Sequence, residues 1–404
     1  MEFKFTQAES ISAELKLIRY LKTCLGRFCL CSGDFNRLFM QVILVGAIAF
    51  LSLLSFATPA LAVKDRLFLD LSLDYLGEYQ LPTTNISDAP AEFSAITYDK
   101  RRDRFYAVSS NEIVTLKWSF KPDPEEIKIQ DIDIESVTSL LDKDGKFYDS
   151  ETFFAKGIAL TPQQTVYISG SQISGERSLP FIREFDLKTG QLLQSLTLPK
   201  RYISEIVQEK EQNQNTQKIT QDDITFAALA FNVTGTVPTS GEPVNLFTAT
   251  ESTLLQDRDV SNSRPNSKQG KARLLHYLIG YGTPMLLAEY AYPLNAALEE
   301  LLSVEGVHFL SLELQPETKT GKIYQIVTSG ATDTSKVESL KGKIRGVREI
   351  KKKLVLDLQE LGISLENASG MTFGSRLADR TKSLIVMSNN QQKTKFLLFR
   401  LHYQ

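Results

Sequence analysis

A short two-strand pattern recurs five times along this chain, and any fold assigned to it must accommodate that repeat. Each copy is a small residue, an alternating apolar strand, a turn, and a second strand that ends in Ser or Thr followed by a polar residue. The copies are 94–98 with 104–111 (SAITY, RFYAVSSN), 156–160 with 165–171 (KGIAL, TVYISGS) and 227–231 with 246–252 (AALAF, LFTATES). A weaker fourth lies at 300–303 with 308–315 (ELLS, HFLSLELQ), and the fifth at 369–373 with 383–390 (SGMTF, SLIVMSNN). Their starts are spaced by 62, 71, 73 and 69 residues. Two further strand-like runs separate the copies: FIREFDL and QLLQSLTL around a turn at Gly190, then RLLHYL and LLAEYAYPL. Four short strands per unit predict an all-β chain, a β-propeller of four-stranded blades. Five blades match the count, and six stay open because a period near 70 is long for a blade. A β-sandwich fits the strand spacing as well. The last unit lacks a fourth strand, which runs near 67–71 or 75–81 are placed to supply, closing the ring.

The first 62 residues read as an address rather than as fold. Residues 40–56 (MQVILVGAIAFLSLLSF) are apolar apart from Gln41 and two serines, and Ala60-Leu61-Ala62 fits a small-x-small cleavage site. Lys16, Arg19, Lys22, Arg27 and Arg37 make the upstream flank positive. The expectation is a signal segment cut after Ala62 and a periplasmic or extracellular body, with an uncleaved inner-membrane anchor as the alternative. The forty residues ahead of the run are long for a leader, so translation starting nearer Met40 also stays open.

The body from 63 to 404 reads as one domain of mildly acidic charge. Of 46 Lys and Arg and 48 Asp and Glu, six and four lie in the first 62 residues, which leaves 40 and 44. That balance argues against a nucleic-acid partner. All three cysteines (Cys24, Cys29, Cys31) fall in the leader, so the body has neither disulfide, thiol nucleophile nor cysteine metal site. Only His276, His308 and His402 offer imidazole chemistry, and lone histidines in strands are usually packed rather than catalytic. No G-x-S-x-G elbow, P-loop or H-E-x-x-H motif occurs. Stretches 207–223 and 256–272 are polar and read as surface loops. Residues 341–353 (KGKIRGVREIKKK) are densely basic, which predicts a solvated loop or helix face, with membrane-surface or polyanion binding as the alternative. Asp142, Asp144 and Gly145 resemble part of a calcium loop, but Leu140 stands where its first ligand belongs, and a hairpin turn explains them more simply.

The residues of the repeat also carry a family resemblance. GIALTP with PFIREFDL, TATESTLLQD, AEYAYPL and the C-terminal ENASGMTFGSRLADRTKSLIVMSNNQQKTKFLLFRL resemble the bacterial phytase-like family described as "esterase-like activity of phytase", over roughly 67–404. The resemblance implies a secreted or periplasmic propeller acting on phosphate or carboxylic esters. In the family pattern the position before the repeat Gly is often acidic and the second strand often ends Ser-Asp-Asn. Here Lys156, Ala227 and Ser369 hold the first position, and Asn111, Asn389 and Asn390 stand in the second.

The acids that match surviving family positions are Glu251, Glu300 and Glu313, which become the candidate catalytic residues. Arg183, Asn111, Asn389 and Asn390 become candidate ligand-binding residues, Arg183 because a guanidinium can grip phosphate bidentately. On the strand FIREF it is expected opposite its apolar neighbours, where a cross-strand acid is its simplest partner. Inner strands of a propeller bring their first residues to one mouth of the channel, where a ring of carboxylates can hold Ca²⁺ or supply an acid–base pair. The substitutions weaken both, and the metal stays unassigned. Two functions follow: an exported hydrolase of small-molecule phosphate or carboxylic esters, or a non-catalytic propeller that binds a ligand or partner in the cell envelope. The membrane enters only through the N-terminal segment if it is not cleaved.

Overall fold

The computed structural model describes residues 67–82, 92–121, 127–175, 177–203, 224–232, 242–258, 270–280, 282–315, 317–390 and 393–403. The expected leader, its hydrophobic run and stretch 207–223 lie outside the described residues. Among the described residues no helix is long and apolar enough to cross a membrane.

The described chain opens with β1 (Leu71–Gln80) and then runs through four successive four-stranded sheets. The first is β2 (Ala95–Asp99), β3 (Arg104–Ser109), β4 (Glu112–Phe120) and β5 (Ile129–Ser139). The second is β6 (Phe153–Leu160), β7 (Thr165–Ser174), β8 (Arg177–Asp186) and β9 (Leu192–Ser195). The third is β10 (Phe226–Asn232), β11 (Val244–Thr250), β12 (Gly270–Ile279) and β13 (Met285–Leu294). The fourth is β14 (Ala297–Glu305), β15 (His308–Gln315), β16 (Thr320–Val327) and β17 (Lys351–Asp357). The chain ends in β18 (Asn367–Arg376), β19 (Lys382–Asn390) and β20 (Lys393–Tyr403). β1 pairs antiparallel with β20, from Leu71↔Tyr403 to Gln80↔Lys395, and completes the fifth sheet. The first strands of the sheets touch in the cycle β2, β6, β10, β14, β18 and back to β2. The molecule is a five-bladed β-propeller. Of the two orphan runs, the one at 75–81 supplies the closing strand, which reaches back only to Leu71 of the other and carries an irregularity between Tyr75 and Gly77.

Each blade is a middle layer with both faces buried, which explains why its inner and second strands read as nearly continuous apolar runs, while its outermost strand is more exposed. Five apolar clusters result, one for each pair of neighbouring blades. Between the fifth and first blades, Ile385, Met387, Phe396 and Leu398 meet Ile96, Phe105, Leu116 and Trp118. Trp118 stacks on Phe105 at 4.3 Å and meets Phe396 edge-on at 4.9 Å, an arrangement that adds to plain area burial.

The longest connection described in full departs from the short turns of a propeller. Residues 328–350, between β16 and β17, have no regular structure and fold against the third blade. The basic run expected as a solvated loop or helix face is the last part of this strap plus the start of β17. A buried ionic network holds it. Arg273 of β12 grips Asp257 with two bonds of 2.7 and 3.0 Å and Glu289 with one of 3.1 Å, and all three side chains are buried. Arg273 also donates to the carbonyls of Val337 and Glu338, while Asp257 accepts from Leu340 N–H at 2.7 Å. Arg201 adds bonds to Val337 O and Ser335 O. Burial pushes the Glu289 carboxyl up, against the opposing pull of Arg201 and Arg273. The polar stretch 256–272 is therefore not wholly a surface loop: Asp257 is a core ion-pair partner and Ala272 lies in β12.

Removing one partner of such a network leaves buried charge uncompensated. Arg273→Met strands both Asp257 and Glu289, with an expected cost of ~3–5 kcal/mol and a fall in Tm of roughly 5–10 °C. Thermal unfolding followed by circular dichroism reads it, and an unchanged Tm would show that the network does not hold the fold.

Candidate functional site at the channel mouth

Four of the five inner strands carry an irregularity at the same place. The register against the second strand skips Lys156 in β6, Ala227 in β10, Glu299 in β14 and Ser369 in β18. In the first blade Ser94 N–H reaches Val108 O just before Ala95 pairs with Val108. A bulge takes its residue out of the strand's alternation and re-aims the side chain. The mouth where the inner strands begin is therefore ringed by Ser94, Lys156, Ala227, Glu299 and Ser369. This places Glu299, and not Glu300, at the position equivalent to the family acid. The repeat spacing becomes 62, 71, 72 and 70, and the paired acids Glu299-Glu300 were the signal that could have revealed the one-residue offset.

The residue after the bulge is Ala95, Gly157, Ala228 or Gly370 in four blades, for a steric reason. A Cβ on Gly157 would lie 2.8 Å from Ala227 O, and one on Gly370 3.2 Å from Ile96 N, each on the next inner strand. The fourth blade has Glu300 there. Its side chain is 2 % exposed, and Oε1 accepts from Leu301 N–H at 3.0 Å. The N–H groups of Leu229 and Met371, repeat equivalents of Leu301 on the flanking inner strands, also favour the carboxylate. Burial outweighs them and pushes the Glu300 carboxyl well up, with Glu299 adding in the same direction. Oε2 has no hydrogen-bond partner, which suits a carboxyl that keeps its proton.

The remaining sequence candidates occupy different places. Glu251 follows β11, is half-buried, and uses its backbone to join two blades: its N–H donates to Thr225 O and its carbonyl accepts from Leu298 N, both at 3.0 Å. It therefore sits beside the start of β14, near the Glu299–Glu300 pair. Glu313 does not join them. It is buried on β15 and its oxygens are taken, Oε1 by Tyr292 Oη at 2.5 Å and Lys352 Nζ at 2.6 Å, Oε2 by the N–H groups of Asn295 and Ala296 at 3.1 and 3.2 Å. Lys352 in turn lies 4.4 Å from the Tyr324 ring centre. Glu313 is a cross-link between the outer strands of two blades.

Arg183 is not opposite its apolar neighbours, and among the described residues it pairs with no acid. It lies 4.5 Å over Phe181 and 5.3 Å over Tyr148, and donates to Gln172 Oε1 at 2.9 Å. The period-two spacing of Phe181, Arg183 and Phe185 carried that signal. Desolvation lowers the pKa of its guanidinium. Asn111 and Asn389 are pins. Asn111 Nδ2 donates to Tyr148 O at 2.6 Å and Asn389 Nδ2 to Phe93 O at 2.8 Å. Each ends a second strand and secures the segment leading to the next blade's inner strand. A carboxylate cannot donate to a carbonyl, so an ionised aspartate at either position could not make this bond. Asn390 pairs with Lys393 through the backbone, and its side chain lies outside the described residues.

A Ca²⁺ ion does not fit this mouth. It wants six to eight oxygen ligands, several of them charged, whereas the ring offers one carboxylate, two hydroxyls and a lysine. Among the described residues no group of three or more His, Cys, Asp or Glu side chains could hold a metal. At the turn, Asp142 Oδ1 accepts from the N–H groups of Asp144 and Lys146 at 2.8 and 2.9 Å, with Gly145 at φ +78°. His276 hydrogen-bonds Asn245 at 2.8 Å and stacks on Phe247. A cleft of about 400 Å³ lined by Pro199, Lys200, Arg201, Gln256 and Glu338 includes no inner-strand residue.

Glu300 has a thermodynamic signature. In the unfolded chain it ionises near its ordinary value of 4.5, whereas the fold keeps it protonated to higher pH. Above that value the folded state binds the extra proton, so stability falls as pH rises. Glu300→Gln is expected to raise Tm at pH 7 to 8, with the gain shrinking towards pH 4.5. A variant less stable by the same margin at every pH would contradict the assignment.

The comparisons bear on family and fold. A model of the phytase-like family, "esterase-like activity of phytase", matches residues 90–391. No curated protein matches. Among solved structures, the RS223 β-xylosidase is 8% identical, covering 82% of this chain and 96% of its own, with a TM-score of 0.37. The soluble aldose sugar dehydrogenase of Escherichia coli is 8% identical over 83% of this chain and 100% of its own, with a TM-score of 0.35. The N-terminal domain of Nup159 is 12% identical over 83% and 97%, with a TM-score of 0.33. Likenesses this distant carry no chemistry across. The family match spans the inner-strand repeats that form the ring, and the chain belongs to the phytase-like family.

Proposed function

We propose that the protein is an exported hydrolase of phosphate or carboxylic esters, working at the mouth where the inner strands begin. One observation carries the reading: a buried carboxyl, Glu300, whose desolvation favours its protonated form, next to the family acid position at Glu299 and beside Glu251. A carboxyl whose burial favours its protonated form, close to a second carboxyl, is a usual means of running acid and base chemistry together. Glu300 supplies the proton that the leaving oxygen needs, Glu251 takes one from the attacking water, and Lys156 across the ring attracts the anionic ester. With purified protein, an aryl phosphate, an aryl acetate and inositol hexaphosphate are the substrates to assay. Glu300→Gln is expected to lower kcat by about 10²–10⁴-fold with KM little changed. Turnover equal to that of the unsubstituted protein would remove Glu300 from the chemistry. For export, N-terminal sequencing of protein recovered outside the cytoplasm is expected to begin at Val63, and an intact leader would favour the anchored form.

A second reading has its own support. Ser94, Lys156, Ala227 and Ser369 replace four of five ring positions with groups that cannot serve as general bases at neutral pH. A mouth with one cation and two hydroxyls suits holding an anionic ester without cleaving it. Binding of inositol hexaphosphate that Lys156→Glu weakens, in protein with no turnover on any of the three substrates, would establish this reading over the first.

A further inference from the structure

The strap 328–350 poses a question that the channel does not answer: why a connection without regular structure is fixed by a buried ionic network. A long unstructured connection inside a compact domain is usually functional, and buried ion pairs are weak evidence for stability by themselves. What this network fixes is the backbone under a row of cations. Lys341, Lys343, Arg345 and Arg348 on the strap, then Lys351 and Lys353 on β17, are all exposed, and none forms an ion pair among the described residues. The other charges of the run are already used. Glu349 pairs with Lys271 at 3.0 Å, and Lys352 turns inward to Glu313 at 2.6 Å. Lys271 also donates to Leu340 O and Gly342 O, holding the base of the ridge.

A row of like charges on a backbone that cannot spread repels itself. Lys351 and Lys353 have a simple role in blunting an edge strand, but Lys343, Arg345 and Arg348 lie off the strand and have none. Apolar groups interleave with the cations: Ile344 and Val347 are half-buried between them, and Leu354, beside Lys353, is 45% exposed. Cations alternating with partly exposed aliphatic side chains match the boundary of a bilayer better than a purely ionic polymer. The rest of the body is net acidic, so an anionic surface favours the face that carries this ridge.

We propose that the strap and the start of β17 form a docking surface for a bilayer rich in anionic phospholipid. The choice of a lipid surface draws on the export reading above, which brings the chain to a membrane, while the ridge itself is independent of any hydrolytic activity. The test is partitioning of the full chain onto vesicles of zwitterionic lipid and onto vesicles with about one-third anionic lipid, at low and at physiological salt. The hydrophobic run of the leader binds both compositions, so the ratio of the two partition coefficients isolates the charge term. That ratio is expected to be large, to fall with salt, and to drop by on the order of fivefold per cation removed, about a hundredfold in Lys343→Gln/Arg345→Gln/Arg348→Gln. Among the described residues none of these three side chains makes a bond that holds the fold, and an unchanged Tm checks this. A ratio near one would overturn the proposal. So would a ratio unchanged in the triple variant, which assigns the preference to the leader's cations. Binding to inorganic polyphosphate in preference to anionic vesicles, abolished by the same variant, would overturn the lipid assignment in favour of a soluble polyanion. Hydrolytic activity has no bearing on any of these outcomes.

Discussion

Five inner strands packed around one axis leave little room at the residue that follows each bulge, and much of the molecule follows from that restriction. Where the position is Gly157 or Gly370, the neighbouring backbone is already at van der Waals limits. Where it is Glu300, a carboxyl occupies that crowded space among the backbone N–H groups of neighbouring inner strands. Those groups belong to strand edges that no further strand can pair, and the carboxyl partly satisfies them. The same crowding strips the carboxyl of water, and desolvation wins over the N–H groups.

The ring of bulged residues and the carboxyl behind it are distinct devices. The bulge takes its residue out of the strand's alternation whatever its identity, and this chain places Ser, Lys, Ala, Glu and Ser there, with Ala227 and Glu299 buried. The pins at Asn111 and Asn389 show a different kind of change: an amide in place of a carboxylate gains a donor and fixes the lead-in to the next blade. Loss of family acids is therefore not uniformly loss. At the ends of the second strands it converts a charged position into a structural bond, and at the bulges it alters what the mouth can attract.

Much of the architecture was legible because a blade buries both faces, so its inner and second strands recur as apolar runs at a steady spacing. The closing strand was legible as an orphan run ahead of the first copy. Other features depended on separations that no local pattern reports. Asn389 bonds the carbonyl of Phe93, 296 residues away, and Arg273 finds Asp257 across a polar stretch that reads as a loop. The fourth copy was offset by one residue because a bulge breaks the alternation while leaving two acids side by side. Glu313 looked like a surviving family acid, and only its four donors show it to be a cross-link.

The central claim is that desolvation outweighs the backbone N–H groups and holds the Glu300 carboxyl towards its protonated form. Infrared difference spectroscopy of the protein against its Glu300→Gln variant at pH 7 tests this directly. The account predicts a protonated carboxyl C=O band that is present in the unsubstituted protein and absent in the variant. A difference spectrum showing only loss of ionised carboxylate bands would mean that the backbone N–H groups outweigh desolvation, and Glu300 would then be a buried anion rather than a proton donor.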